Sequence, residues 1–135
     1  MKTKILKFVA LFVCILAFSS VVQASTIWVT PYFTFVIRDN PPTPSTYVVT
    51  YYIENSDYVT TPTYDVGTYY SPGEYTFSSS NSIQVTEPAN PPVPVNCYRI
   101  IVIVERNGNT TKEGQSEWTT AAHLQDNSQT IIIYF

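Results

Sequence analysis

Residues 97–106 read Cys-Tyr-Arg-Ile-Ile-Val-Ile-Val-Glu-Arg, with five consecutive β-branched aliphatics at 100–104. Such side chains are stiff at χ1 and suit a pleated surface better than a helix. The run is too short for a helix buried on all sides and far too short to cross a bilayer, so it predicts a central strand covered on both faces. Tyr98, Ile100, Val102 and Val104 fall on one face, assigned to the core, and Ile101 and Ile103 make a partly apolar strip on the other. Asn107-Gly108 follows and supplies the φ > 0 residues that a tight hairpin needs.

The same period of two recurs along the chain. In residues 27–38, Ile27, Val29, Phe33, Phe35 and Ile37 alternate with Trp28, Thr30, Tyr32 and Thr34, which predicts a strand with one buried face. Pro31 cannot donate a ladder hydrogen bond, so this is an edge strand or two strands joined by a bulge. Residues 39–44 carry three prolines and form a loop. The next strand, 46–54, points Tyr47, Val49, Tyr51 and Ile53 inward and ends at Asn55-Ser56-Asp57. Three short strands at 64–70, 74–78 and 82–86 lie between turn clusters, and residues 87–96, with four prolines, make an extended crossing. A polar returning strand at 112–120, interrupted by Gly114, and a last apolar one at 129–135 complete the count.

Eight short strands without a helical period predict an all-β domain of two packed antiparallel sheets, a β-sandwich of about 7–8 strands. The final strand should pair inside it with one aliphatic face in the core. Its uncharged, β-prone sequence, Ile131 to Phe135, would otherwise invite edge-to-edge aggregation.

Lys2, Lys4 and Lys7, an apolar stretch at 8–18 and the small residues around Val22-Gln23-Ala24 have the order of an export signal. Ser19 and Ser20 interrupt the apolar run, which falls short of the roughly 20 residues of a membrane span. Residues 1–24 are therefore read as a signal peptide and 25–135 as the domain, with a secreted, periplasmic or cell-surface location. Cys14 lies within the apolar run and leaves with the signal.

Removing 24 of the 135 residues leaves 111, enough for one domain with a core. Three of the seven Lys and Arg go too, leaving four against ten Asp and Glu, so the formal charge moves from −3 to −6. That balance disfavours nucleic acid and anionic membrane as partners, since both need clustered cations. Cys97 is the one thiol remaining, so no intrachain disulfide can staple the domain. It is read as a small buried residue, the alternative being a bridge between chains.

Catalytic material is sparse. His123 is the sole histidine, with Ser116, Asp126 and Ser128 near it in sequence. A triad is defined by geometry rather than by such proximity. Asp57, Asp65, Glu74 and Glu87 could supply paired carboxylates, and Asp39, Asn40, Asp126 and Asn127 could meet as a calcium site, although Asp and Asn are also ordinary turn residues. No cofactor or metal motif emerges. The sequence points to a non-enzymatic binding or structural module, with a small hydrolase using His123 and a carboxylate as the alternative.

Tyrosine and tryptophan are the notable excess: all eleven Tyr and both Trp lie beyond residue 24. Trp28, Tyr32, Tyr52, Tyr69 and Tyr134 fall on the register opposite the assigned core, and the first four are candidate binding aromatics for a protein or carbohydrate ligand. Exposed strand faces also favour Tyr in their own right. Asn109-Thr110-Thr111 is a glycosylation acceptor if the source is eukaryotic.

Residues 98–104, a turn, and Gly114-Gln115-Ser116-Glu117-Trp118 together resemble the penultimate strand and following hairpin of fibronectin type III and related immunoglobulin-like domains. Ser71-Pro72-Gly73-Glu74-Tyr75 is similar to the Pro-Gly turn before a Tyr-bearing strand in exported sandwiches, although here that turn lies far from Tyr98. The resemblance covers about a quarter of the domain and implies an immunoglobulin-like sandwich with binding or spacing roles. The C-terminal alternation also resembles the closing strand of outer-membrane barrels, and Tyr134 is similar to the penultimate residue of chaperone-assembled pilins. Those likenesses imply a surface-assembly or outer-membrane-associated subunit. A barrel of eight strands of about ten residues would take about 80 of the 111 residues and leave little chain for loops.

Overall fold

A computed structural model describes residues 24–90 and 95–135. The segment read as an export signal, apart from Ala24, lies outside the described residues, as do Pro91, Pro92 and Pro94 of the proline-rich crossing.

Nine strands are described, in the order β1 Thr26–Val29, β2 Tyr32–Arg38, β3 Tyr47–Asn55, β4 Tyr64–Tyr69, β5 Gly73–Ser78, β6 Ile83–Thr86, β7 Tyr98–Arg106, β8 Thr110–Gln115 and β9 Thr130–Tyr134. They form three sheets, β1-β6, β5-β2-β9 and β4-β3-β7-β8. Every pairing is antiparallel except β2 with β9, which is parallel and sets Thr34 opposite Thr130. The all-β, mainly antiparallel architecture expected from the sequence is observed, with nine strands in place of eight, three sheets in place of two and one parallel pairing. Pro31 accounts for the extra strand and the extra sheet: β1 ends at Val29, and after Thr30 and Pro31 the chain resumes at Tyr32 in a different sheet. Of the two readings of residues 27–38, the single edge strand gives way to two strands, and β2 is the central strand of its sheet.

The break at Pro31 has a counterpart. Val29 faces Ile83 in one sheet and Tyr32 faces Ser78 in the next, so Thr30 and Pro31 lie opposite the longer stretch between Ser78 and Ile83. The ribbon thus turns a corner with its surplus residues on one side. The Pro31 carbonyl accepts from Ser79 N (2.8 Å), Thr30 Oγ1 meets Ser82 Oγ (2.8 Å), and Gln125 Oε1 accepts from Thr30 N (2.8 Å). The Thr30 N–H and the Pro31 carbonyl, which leave the ladder, are thus paired again at once.

One core lies between the two larger sheets. Phe33, Phe35 and Ile37 of β2 and Ile131 and Ile133 of β9 meet Tyr47, Val49, Tyr51 and Ile53 of β3 and Ile100, Val102 and Val104 of β7, all fully buried. The alternation read for β3, β7 and the terminal strand is the alternation observed, and β9 pairs within its own chain. Rings close the β4 and β5 side: Tyr69 packs against Phe35 (5.3 Å between centroids) and Tyr75 (4.2 Å), and Phe77 against Phe33 (5.3 Å).

β8 begins and ends earlier than the predicted 112–120. Asn107 and Gly108 take φ of 53° and 72° and turn the chain through residues 107–109 into Thr110. At the far end Ser116 Oγ, in place of a strand carbonyl, accepts from Ile100 N (2.9 Å), and only an isolated bridge, Tyr98 to Thr119, continues the pairing. β8 also comes very close to β9 at Gly114.

Two polar clusters fix the ends. Buried Asn55 accepts from Asp57 N (2.9 Å) and Val59 N (3.0 Å) and donates to the Thr86 carbonyl (2.9 Å), holding Tyr58 at φ 62°. At the opposite end Asp39 accepts from Arg106 Nη1 at 3.0 and 2.9 Å and from the Tyr47 hydroxyl at 2.7 Å, while the Arg106 guanidinium lies 4.9 Å over Phe135. No helix among the described residues is long and apolar enough to cross a membrane.

Candidate functional site

The corner at Pro31 creates a recess of about 560 Å³. Trp28 of β1 and its register partner Gln84 of β6 form one side, Tyr64 and Asp65 of β4 another, and the loop between β5 and β6 the rim, with Phe77 and Tyr51 beneath. Trp28 is 67% exposed, although it stands in a strand whose neighbour Val29 is fully buried. The rim is ordered by its own short bonds: Ser79 Oγ donates to the Asn81 carbonyl (2.6 Å) and accepts from Asn81 N (3.2 Å), and Gln84 Nε2 donates to Thr26 Oγ1 (2.7 Å). Burial pushes the Tyr51 phenol up to about 12, with the Ser79 hydroxyl acting against it, so it stays a neutral hydroxyl at the floor. An apolar wall, hydroxyl and amide groups and one carboxylate thus converge on one concave place.

The four aromatics singled out from the sequence do not gather. Trp28 stands at this recess. Tyr52 lies on the outer face of the four-stranded sheet, opposite Ile101, where burial and then the Glu113 and Glu54 carboxylates raise its pKa. Tyr32 is half-buried at the start of β2, donating its N–H to the Leu124 carbonyl (2.9 Å). Tyr69 is corrected outright: it packs on the core, and Gly67, at φ 146° beside the β3–β4 bulge, marks where its register departs from simple alternation. Tyr134 is exposed on β9. Sequence reasoning missed Tyr58 and Tyr70, 72% and 76% exposed, and the signal was there, since each adjoins a turn cluster, Ser56-Asp57 or Ser71-Pro72-Gly73.

His123 and Asp126 do meet. The His123 Nδ1–H donates to Asp126 Oδ2 at 2.6 Å on an exposed turn. Hydrogen bonds from Ser128 and His123 hold the Asp126 carboxyl down at about 2. Neither nearby serine completes a triad: the Ser128 hydroxyl donates to the His123 carbonyl (3.3 Å), and Ser116 is buried, donating to the Glu117 carbonyl (2.8 Å). The four carboxylates considered for paired chemistry are dispersed. Asp65 lies in the Trp28 recess and Glu74 is exposed on β5. Asp57 and Glu87 line a second, mostly aliphatic cleft of about 720 Å³. Cys97 sits in its wall as a buried free thiol, pushed up by burial.

The calcium grouping does not form. Asp39 follows the last residue of β2 and is engaged by Arg106, whereas Asn127 binds the Tyr32 carbonyl at the first, so the two pairs occupy opposite ends of one strand. Asn109 is exposed at the tip of the β7–β8 hairpin, its side chain accepting from Thr110 Oγ1 (3.1 Å). No protein-family model, curated protein or solved structure matches this chain.

Proposed function

We propose that this chain is an exported, non-enzymatic binding module, built as an immunoglobulin-like β-sandwich, that takes its ligand in the Trp28 recess. The basic, apolar and small-residue order of residues 1–24 supports export, and the core shared by two facing sheets supports the sandwich. One observation carries the binding role: Trp28 remains two-thirds exposed on a concave wall beside convergent polar groups. Full burial of a large apolar side chain is worth about 1.5–3 kcal/mol, a gain that Trp28 leaves largely unrealised until something covers it. Replacing Trp28 by Ala tests this. The variant should keep the fold and lose binding, and a variant that binds every ligand of the parent protein equally well overturns the assignment.

The 2.6 Å pair of His123 and Asp126 favours a second reading, a small hydrolase in which the oriented imidazole activates water. His123→Ala would then abolish hydrolysis while leaving the fold intact. A parent protein inactive on ester, peptide and glycoside substrates removes this reading.

A further inference from the structure

The recess combines features that a flat protein contact does not need. A protein partner requires a face of about 800 Å² per side. Here the polar groups instead converge on a hollow whose volume, about 560 Å³, lies within the roughly 300–1,000 Å³ of small-ligand sites. A purely apolar small molecule fits poorly as well, because Ser80, Asn81 and Gln84 would lose water without replacement.

A sugar ring has the matching chemistry: one face of C–H groups and a rim of hydroxyls. The C–H face suits the exposed indole of Trp28, and the hydroxyl rim suits short serine and amide side chains that both donate and accept. Asp65, whose carboxylate has no hydrogen-bond partner among the described residues, can accept from two hydroxyls. The rim is already held in shape by the Ser79–Asn81 bonds and the Ser82–Thr30 bond, so little conformational freedom remains to be lost on binding.

Charge narrows the class. Among the described residues no Lys or Arg lines the recess, Arg99 is paired with Glu54 and Arg106 with Asp39, and the one Asp or Glu on its wall is Asp65. A sulfated or uronic-acid chain would be repelled there. We infer that the Trp28 recess is a subsite for an uncharged pyranose ring, taken from a neutral hexose or N-acetylhexosamine chain. This inference rests on the binding-module reading above.

The test uses the protein expressed as the full chain, with its two tryptophans labelled as 5-fluorotryptophan so that fluorine NMR reports Trp28 and Trp118 separately. Trp118 lies under Arg99 on a different face and serves as the internal control. Malto-, cello-, xylo- and chito-oligosaccharides, a sulfated glycan and a defined pool of hydrophilic peptides are titrated in turn. At least one neutral series should shift the Trp28 resonance saturably and leave Trp118 still. Trp28→Ala should weaken that binding about tenfold or more, read by calorimetry. Asp65→Asn and Asn81→Ala should weaken it at unchanged melting temperature, and the sulfated glycan should give no response. Preference for the sulfated glycan, or neutral binding indifferent to Trp28→Ala, overturns the inference. A saturable, Trp28-dependent response to peptide with none to sugar overturns it but leaves the binding-module reading standing. Silence towards both classes removes the two together.

Discussion

A methyl group placed on Gly114 would lie 2.6 Å from the carbonyl oxygen of Ile132, so β8 and β9 meet only because position 114 has no side chain. The obstructing atom is backbone, and the same methyl would press on Ile131 Cγ2 at 2.8 Å and Ile133 Cγ1 at 3.1 Å, both from buried core residues. No flexible side chain can swing away. Gly114→Ala should therefore destabilise the protein by about 2–3 kcal/mol, in the range of overpacked cores, and Gly114→Val by more. Urea denaturation checks this, with exposed Thr111→Ala as a near-neutral control.

Asp39 ties stability to acid. Burial by itself would raise its pKa, but the hydrogen bonds from Tyr47 and Arg106 and the Arg106 charge outweigh it and hold the carboxyl below its ordinary value. A group depressed in the folded state contributes stability above its unfolded pKa, about 3.9, and that contribution is lost as pH falls through the lower folded value. Melting temperature should accordingly drop as pH falls from about 4 towards 2. In Asp39→Asn that part of the acid slope should disappear. The Asp39 side chain is only 4% exposed and that of Arg106 27%, so the same substitution should cost about 2–3 kcal/mol at neutral pH, below the range for breaking a fully buried pair.

Asn55→Ala leaves the N–H groups of Asp57 and Val59 and the carbonyl of Thr86 without their partner. The three bonds are part-buried, and a group left unpaired costs up to about 1–3 kcal/mol where water cannot replace the bond, so a loss of about 1–3 kcal/mol in all is expected. Faster hydrogen exchange at the Asp57 and Val59 amides should accompany it. Asn55→Asp keeps the acceptor and should protect those amides while losing the bond to Thr86.

Deleting residues 130–135 removes Ile131 and Ile133 from the core and the Phe135 ring from between Tyr47 (5.8 Å between centroids) and Arg106. The two isoleucines alone represent about 1.5–3 kcal/mol each, against a typical domain stability of about 5–15 kcal/mol. The truncated chain should unfold or aggregate, as followed by circular dichroism and gel filtration. A monomer with an unchanged melting temperature would show that this strand is dispensable.

Much of the strand pattern was legible because each inward position repeats every second residue. Tyr47 to Ile53 and Ile100 to Val104 are buried as their alternation requires. Partner choice was not legible, since period two says which face is buried and nothing about which strand lies alongside. Pro31 signalled a break, but the change of sheet depends on the extra length between Ser78 and Ile83, far away in sequence. Leu124, fully buried within the turn at residues 121–127, has no periodic neighbours to reveal it. The Trp28 recess was half legible: the outward aromatic could be read, but not the loop that curls over beside it.

The parallel pairing of β2 with β9 also bears on how the molecule forms. Thr34 finds Thr130 only after nearly the whole intervening chain has been made, and a loop of that length is slow to close. Until then the β9 edge of β2 stays open, and Phe33 and Phe35 lie on a strand with unmet backbone groups. Folding should therefore be slow for a chain of this size, because the β2–β9 pairing joins residues far apart in sequence.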